Sequence, residues 1–397
     1  MHESDIRLLR EAYFEALKAT GNSDPNPAVG AIVADESGNI LARGATQRAG
    51  FAHAERMALQ DTNAGFGGKT LYVTLEPCCH HGRTPPCTDI IREKRIGRVV
   101  IGERDFAAEV MGKSVELLRQ SGIVVEILPE NLLGTEKFFT TGPFFHARRL
   151  KRPRLVLKWA QTSDGSLAPQ KGPSGKISGE PAAAITAALR NYCKFTLSSP
   201  GTAQIDQPRL DVRFPEKPVD LSGTGFSDFF SGLIATQLKP PAAADMATSY
   251  KHPARGYLSY PLSGASRTAI TDFQKNVAPD FILVEKPATD LRVAFDNTMD
   301  SVLGEILANG FNSVLVEAGP RFSQSLIDAG LVDILVVYHS KTRSAADLWA
   351  APGRGNMTSA FIAQAADNNP QLPGFALLER GNLGSDVVYV FKRLADA

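Results

Sequence analysis

Ligand-type side chains are concentrated in one short stretch of this sequence. The 397-residue chain carries seven histidines and four cysteines, yet His53, Cys78, Cys79, His80, His81 and Cys87 all lie between positions 53 and 87. His53 opens the helical pattern HAERMALQDT, Cys78 follows the strand-like TLYVTLEP, and Cys87 starts the helical CTDIIREK. A fold that uses them together must bring two helix starts to one strand end. The flanking segments allow this: AVGAIVAD and ILARGAT read as paired strands, followed after the cluster by RVVIGE, KSVELLRQSG and IVVEIL. Strands alternating with helices predict a layered α/β sheet domain.

One imidazole and two thiolates form a three-ligand zinc set that leaves the fourth tetrahedral position for water. Such an open position is what a hydrolytic zinc needs, and a nearby carboxylate can carry protons between water and leaving group. Glu55, two residues after His53, suits that role without occupying the metal. H-x-E with P-C-x-x-C is a zinc deaminase signature. Here eight residues, CHHGRTPP, separate Cys78 from Cys87 instead of two. Ligand count alone leaves a structural zinc open, with Cys79 or His80 as a fourth ligand.

The segments PNPAVG (25–30), HAE (53–55) and TLEPCCHHGRTPPC (74–87) resemble the bifunctional riboflavin biosynthesis deaminase/reductase family. That resemblance implies zinc on His53, Cys78 and Cys87, with Glu55 as proton shuttle. It places substrate contacts on Asn26, His80 and Arg83, and retains Asp105 from a further family motif. Arg83 offers a planar donor fork suited to a phosphate or a carbonyl edge. Two departures fall near the substrate: Thr46 stands where the family often has His, and the PNP expected after Asp105 is replaced.

The second half lacks a G-x-G-x-x-G dinucleotide fingerprint. It resembles the family's reductase half in KWAQTSDG (158–165), SGKISG (174–179), GTAQIDQPRLDVR (201–213) and VEAGP (316–320). The resemblance implies nicotinamide-cofactor contacts at Ala160, Lys176, Thr202, Asp206 and Gly319. Ribosyl-phosphate contacts fall on Ser174, Arg190, Leu210, Arg213 and Glu317. Lys176 replaces a family Trp, and Gln207 a family Asp.

The expected architecture is α/β: a cytidine-deaminase-like zinc domain over 1–146, a linker over 147–153, and a dihydrofolate-reductase-like domain over 154–397. Residues 214–270, rich in Gly, Pro, Ser and Ala, read as divergent or inserted. The implied activity is hydrolytic deamination of a diaminopyrimidinone ribosyl phosphate, then reduction of its ribosyl group to ribityl, with one Zn2+ per chain and NADPH. The alternatives are a deaminase for another nucleoside or nucleotide with a silent reductase-like domain, and a non-catalytic zinc-stabilised binding module. A net charge of 43 − 42 = +1 argues against a polyanion binder and so against nucleic acid as partner. The N-terminal MHESDIRLLREAYFEALKAT has amphipathic spacing rather than the pattern of a signal peptide, and no stretch approaches the roughly 18 apolar residues of a membrane span. These features predict a cytoplasmic enzyme with a small-molecule substrate; the family suggests a homo-oligomer.

Overall fold

The computed structural model describes residues 2–61, 65–106, 111–167, 177–199, 202, 209–243, 245–246, 248, 250–259, 281–285, 293–344 and 372–394, with side chains of 256–298 outside the description. The chain divides into two compact units. One comprises Met1–Arg149 with Lys239–His252, the other Leu150–Leu238 with Pro253–Ala397.

The first unit is built on five strands: β1 (Gly30–Ala34), β2 (Ile40–Ala45), β3 (Thr70–Val73), β4 (Arg98–Ile101) and β5 (Val124–Ile127), in the order β2-β1-β3-β4-β5. β1 is antiparallel to both β2 and β3, whereas β3, β4 and β5 run parallel. Helices α2 (Ala54–Leu59), α3 (Cys87–Glu93) and α4 (Lys113–Gln120) supply residues to one apolar cluster with Ala31, Val33, Val73, Val99 and Val125. Helix α1 (Glu3–Ala16) packs on β1 through its buried stripe of Leu8, Leu9, Ala12 and Tyr13.

Two glycines permit these helices to approach. A Cβ at Gly30 would lie 1.9 Å from the carbonyl oxygen of Ala12, and one at Gly44 would lie 2.3 Å from that of Ala54. Gly30 therefore fixes how α1 sits, and Gly44 how the helix following His53 sits.

α1 is also tied to the sheet electrostatically. Arg98 donates to both Asp5 carboxylate oxygens, at 2.7 and 2.9 Å, and Tyr72 donates to Asp5 Oδ1 at 2.8 Å. The bonded Arg98 guanidinium holds the Asp5 carboxyl well below the ordinary carboxylate range, against the opposing effect of burial.

The basic run expected to link the domains begins inside a helix. After α5 (Gly134–Phe139), helix α6 spans Gly142–Leu150, and strand β6 starts at Arg154. Arg148 and Arg149 of that run occupy the C-terminal turn of α6, where cations complement the helix dipole, and Lys151 and Arg152 follow the helix before β6.

Among the described residues the second unit carries eight strands: β6 (Arg154–Gln161), β7 (Phe195–Ser198), β8 (Ala254–Ser259), β9 (Phe281–Glu285), β10 (Ser313–Glu317), β11 (Ile334–Ser340), β12 (Phe375–Leu383) and β13 (Asp386–Arg393). Their order is β12-β13-β11-β6-β10-β7-β8-β9. The pairs from β9 through β11 are parallel, and β13 and β12 close one side antiparallel. Four described helices accompany this sheet: α7 (Glu180–Cys193), α8 (Asp228–Gln237), α9 (Val293–Ala308) and α10 (Pro320–Asp328).

The weakly patterned region 214–270 therefore contains a helix, a strand and a segment that groups with the other unit. α8, DFFSGLIATQ, is apolar on most of its surface, so it gives little helical periodicity in sequence; Ser227 caps it by accepting from the Phe230 amide.

Replacing Asp5 by Asn should lower the stability of the first unit by about 2 kcal/mol at pH 7, the scale of hydrogen bonds to a charged group. Because the carboxyl is depressed in the folded chain, its contribution is complete above the unfolded value of about 3.9 and is lost as pH falls through the folded value. Urea titrations should therefore separate the wild type from Asp5→Asn at pH 7 and bring them together in strong acid.

Candidate zinc centre and active sites

His53 is the residue preceding α2, and its carbonyl accepts the Met57 amide at 3.0 Å, so helix formation sets its position. Cys87 is the first residue of α3, behind Pro86, whose fixed φ suits a helix start. Cys78 lies in the loop that leaves β3. The Cys87 amide donates to its sulfur at 3.3 Å, and its carbonyl accepts from the Thr88 amide.

His53 Nδ1 lies 3.6 Å from Cys78 Sγ and 3.5 Å from Cys87 Sγ. A tetrahedral zinc with ordinary Zn–S and Zn–N lengths requires N···S edges of about 3.6 Å, so the donor set fits the ion. With Nδ1 turned to the metal position, Nε2 carries the ring proton and faces the Thr84 hydroxyl at 3.5 Å, a partner that orients the ligand. Among the described residues, His53, Cys78 and Cys87 are the group able to hold a metal ion. Cys79 and His80 stand outside it, which removes the support for a four-ligand structural site.

The electrostatics suit the same set. Hydrogen bonds from Cys87 and His53 pull the Cys78 thiol down to about 4, against burial. Its partner Cys87 is pushed up by holding the shared proton and by burial. The hydrogen bond to Cys78 raises the His53 imidazole. Glu55 is 4% exposed; burial raises its carboxyl, the Cys78 charge adds to this, and His53 opposes it. A carboxyl whose protonated form is favoured beside the ligand set is suited to give and take a proton.

His53, Glu55 and Cys78 face a cavity of about 580 Å3, with Cys87 buried behind them, and its wall also includes Asn26, Thr46, Glu76, His80, Arg83, Thr84, Asp105, Phe144 and Arg148. That volume falls within the range of small-molecule sites. All of the expected deaminase positions, Asn26, His80, Arg83 and Asp105, therefore converge with Glu55 and the ligands. Thr46 is 5% exposed, and among the described residues its hydroxyl has no hydrogen-bond partner.

Two wall residues were not predicted. Glu76 accepts from the Ser114 hydroxyl at 2.7 Å, the Gly112 amide at 2.9 Å and the Asp105 amide at 3.4 Å, fastening the Asp105 turn and the start of α4 to the cavity. Its carboxylate, inside the motif TLEPC, was the available sequence signal. Arg148 reaches the cavity from α6, with its guanidinium 4.8 Å from the Phe144 ring centroid. The i,i+4 spacing of Phe144 and Arg148 was legible only once the segment was known to be helical.

In the second unit the register places the expected residues at one edge. Glu317 on β10 pairs with Lys158 on β6 and with Ser198 on β7, so Ala160, Gly319 and Thr202 follow at the carboxyl ends of three adjacent parallel strands. This is where open parallel sheets bind ligands. The Gly319 amide donates to Thr202 Oγ1 at 3.0 Å, and Gly319 is the N-cap residue of α10. Arg190 donates from Nε to Glu317 at 2.6 Å and from Nη1 to the Asp211 carbonyl at 2.8 Å. Arg213 pairs with the Asp211 carboxylate at 3.0 Å and is exposed. Leu210 is buried with φ of 53°, a left-handed turn that carries the chain past Arg190. Ser174, Lys176 and Asp206 lie outside the described residues.

Lys158 was overlooked, although a lysine inside the apolar RLVLKWA was the signal. Its ammonium lies 3.6 Å from Glu317 and 5.1 Å from the Tyr338 ring centroid. Burial lowers it, with Glu317 opposing. Burial also works against the Glu317 charge, but Arg190 and Lys158 outweigh it and hold that carboxyl below its ordinary value.

The profile of the cytidine and deoxycytidylate deaminase zinc-binding region matches residues 2–103, and that of the RibD C-terminal domain matches residues 153–340. The riboflavin biosynthesis protein RibD of Actinobacillus pleuropneumoniae is 31% identical over 342 residues, covering 84% of this chain and 83% of its own. That of Aquifex aeolicus is 33% identical over 341 residues, covering 85% and 87%. The chain belongs to the RibD family. Members of known structure share the whole architecture. The diaminohydroxyphosphoribosylaminopyrimidine deaminase/5-amino-6-(5-phosphoribosylamino)uracil reductase of Thermotoga maritima superposes with a TM-score of 0.73 at 26% identity over 99% of both chains. Acinetobacter baumannii RibD, at 24% identity and a TM-score of 0.71, has the same fold. The chain is thus an enzyme of riboflavin biosynthesis in which a zinc-region deaminase precedes a reductase.

Metal analysis of purified variants should separate ligands from neighbours. Cys78→Ala and Cys87→Ala should each lose zinc, whereas Cys79→Ala and Glu55→Gln should retain about one ion per chain.

Proposed function

We propose that the first unit hydrolyses the amino group of a diaminopyrimidinone ribosyl 5′-phosphate and that the second reduces the ribosyl group of the product with NADPH. The observation that carries this reading is that the donor set of His53, Cys78 and Cys87 opens, through His53 and Cys78 and beside buried Glu55, on the cavity walled by Asn26, His80, Arg83 and Asp105.

His53, Cys78 and Cys87 would hold zinc, which when bound acidifies water and polarises the reacting centre. Glu55 takes a proton from the attacking water and delivers it to the departing amine, so that water is consumed, the C–N bond breaks and ammonia leaves. Asn26 and Asp105 fit the role of fixing the pyrimidine edge, and Glu76 keeps Asp105 in place through its amide. Arg83 and Arg148 are the guanidinium groups on the cavity wall. They suit a phosphate dianion, for which charge-assisted, forked hydrogen bonds are the strong ones.

NADPH supplies hydride to the ribosyl carbon when bound. The carboxyl edge formed by Ala160, Gly319 and Thr202 fits the cofactor, and the α10 N-terminus lacks a side-chain cap, leaving backbone amides for phosphate. Arg190, Lys158 and Glu317 form the polar group beside that edge, with Arg213 extending it through Asp211. We assign substrate orientation to this network, and Ser174, Lys176, Leu210 and Asp206 remain proposed contacts by resemblance. The proposed location is the cytoplasm. None of the four cysteines forms a disulfide, as expected of thiols in a reducing compartment, and no described helix is long and apolar enough to cross a membrane.

Glu55→Gln should lower the deamination kcat about 10²- to 10⁴-fold, the range for a lost general acid-base group. Full turnover in that variant would remove Glu55 from the mechanism. Arg148→Ala should raise KM for the phosphorylated substrate about tenfold, the scale of one lost charge-assisted hydrogen bond. The same change should leave KM for the dephosphorylated nucleoside close to the wild-type value. Equal effects on both compounds would place Arg148 elsewhere than at the phosphate.

A further inference from the structure

The segment Lys239–His252 lies within the chain's second half but groups with the first unit: the chain leaves the second unit after Leu238 and returns at Pro253. The Asp245 carbonyl accepts the amides of Thr248 at 3.2 Å and Tyr250 at 3.1 Å, making a compact turn. Tyr250 is 8% exposed and packs edge-on against His252.

That turn meets two loops of the deaminase cavity. The Arg48 amide donates to the Thr248 carbonyl at 2.9 Å, within the 46–52 loop that contributes Thr46 and Gly50 to the wall. The Lys251 amide donates to Asn22 Oδ1 at 3.2 Å, and Asn22 leads directly to the wall residues Pro25, Asn26 and Pro27. The Lys251 side chain is half-buried; burial lowers its ammonium while Asp24 favours the charge.

We propose that Lys239–His252 is a positioning element of the deaminase: a brace, encoded in the reductase half, that holds the 22–27 and 46–52 loops at the substrate cavity. It touches neither the metal ligands nor Glu55 through any of these bonds. Its effect falls on substrate binding rather than on the chemical step. The brace gives a role to a stretch rich in Pro and Ala, and this role rests on the deaminase reading of the first unit.

The test uses the full-length zinc-loaded chain, Lys251→Pro, which removes the amide donated to Asn22, and a chain in which 239–252 is replaced by Gly and Ser at equal length. Amide hydrogen exchange should accelerate at Arg48 and across 22–27 in both variants, with zinc content unchanged. KM for deamination should rise about tenfold with kcat nearly constant, as expected when the competent arrangement falls to roughly a tenth of the population. Reduction of separately supplied deaminated product should proceed as in the wild type. Unchanged exchange and KM would overturn the brace, as would a parallel loss of zinc, kcat and thermal stability, which would make the segment a general folding element. If the wild-type chain fails to deaminate, the functional reading falls, while exchange at Arg48 and 22–27 still decides whether the brace exists.

Discussion

The first unit depends on bringing two cysteine sulfurs from separate elements within 3.5 to 3.6 Å of one imidazole nitrogen. Two thiols and an imidazole gather this closely against the effects of burial and of one thiolate approaching another, both of which oppose their charged forms. The scaffold supplies the geometry: β3 delivers the Cys78 loop, and α2 and α3 begin at His53 and Cys87. Gly44 lets α2 settle on β2, because a side chain there would meet the Ala54 backbone. Once the donors are fixed, Glu55 is placed by the first turn of α2, buried on the same side, and its raised carboxyl follows from that burial. The chemistry is a consequence of where two short helices start.

Much of the first unit was legible because its signals are local. Strands alternating with helices, the H-A-E triplet at a helix start and the P-C motifs at loop ends each depend on residues close in sequence. What escaped depended on packing. Arg148 looked like linker charge until α6 was seen to continue through it, and Glu76 looked like part of a motif until its three donors were seen. In the second half, α8 is apolar on most faces and β12 is interrupted by Glu379 and Arg380, so neither carries a clean period. The 239–252 turn is held to the first unit by backbone groups at Thr248 and Lys251, which leave little mark in sequence.

The two sites handle charge differently. The deaminase cavity presents Arg83 and Arg148 on an open wall, ready for an anion, whereas Arg190 and Lys158 in the second unit are already engaged with Glu317. Breaking such a buried set by removing one partner is strongly unfavourable, because it leaves an uncompensated charge. Glu317 therefore keeps two cations in place at the carboxyl edge of β6 and β10, while the exposed Arg213 reaches the same region through Asp211. A near-neutral chain can hold both sites because the charge is local.

The most direct measurement is mass-spectrometric product analysis of the zinc-loaded chain with a diaminopyrimidinone ribosyl 5′-phosphate in heavy-oxygen water, with and without NADPH. The account predicts that without NADPH the amino group is exchanged for an oxygen carrying the label and ammonia is released. With NADPH the same product should further gain a hydride and a proton. Recovery of unaltered substrate, or reduction without prior deamination, would contradict it.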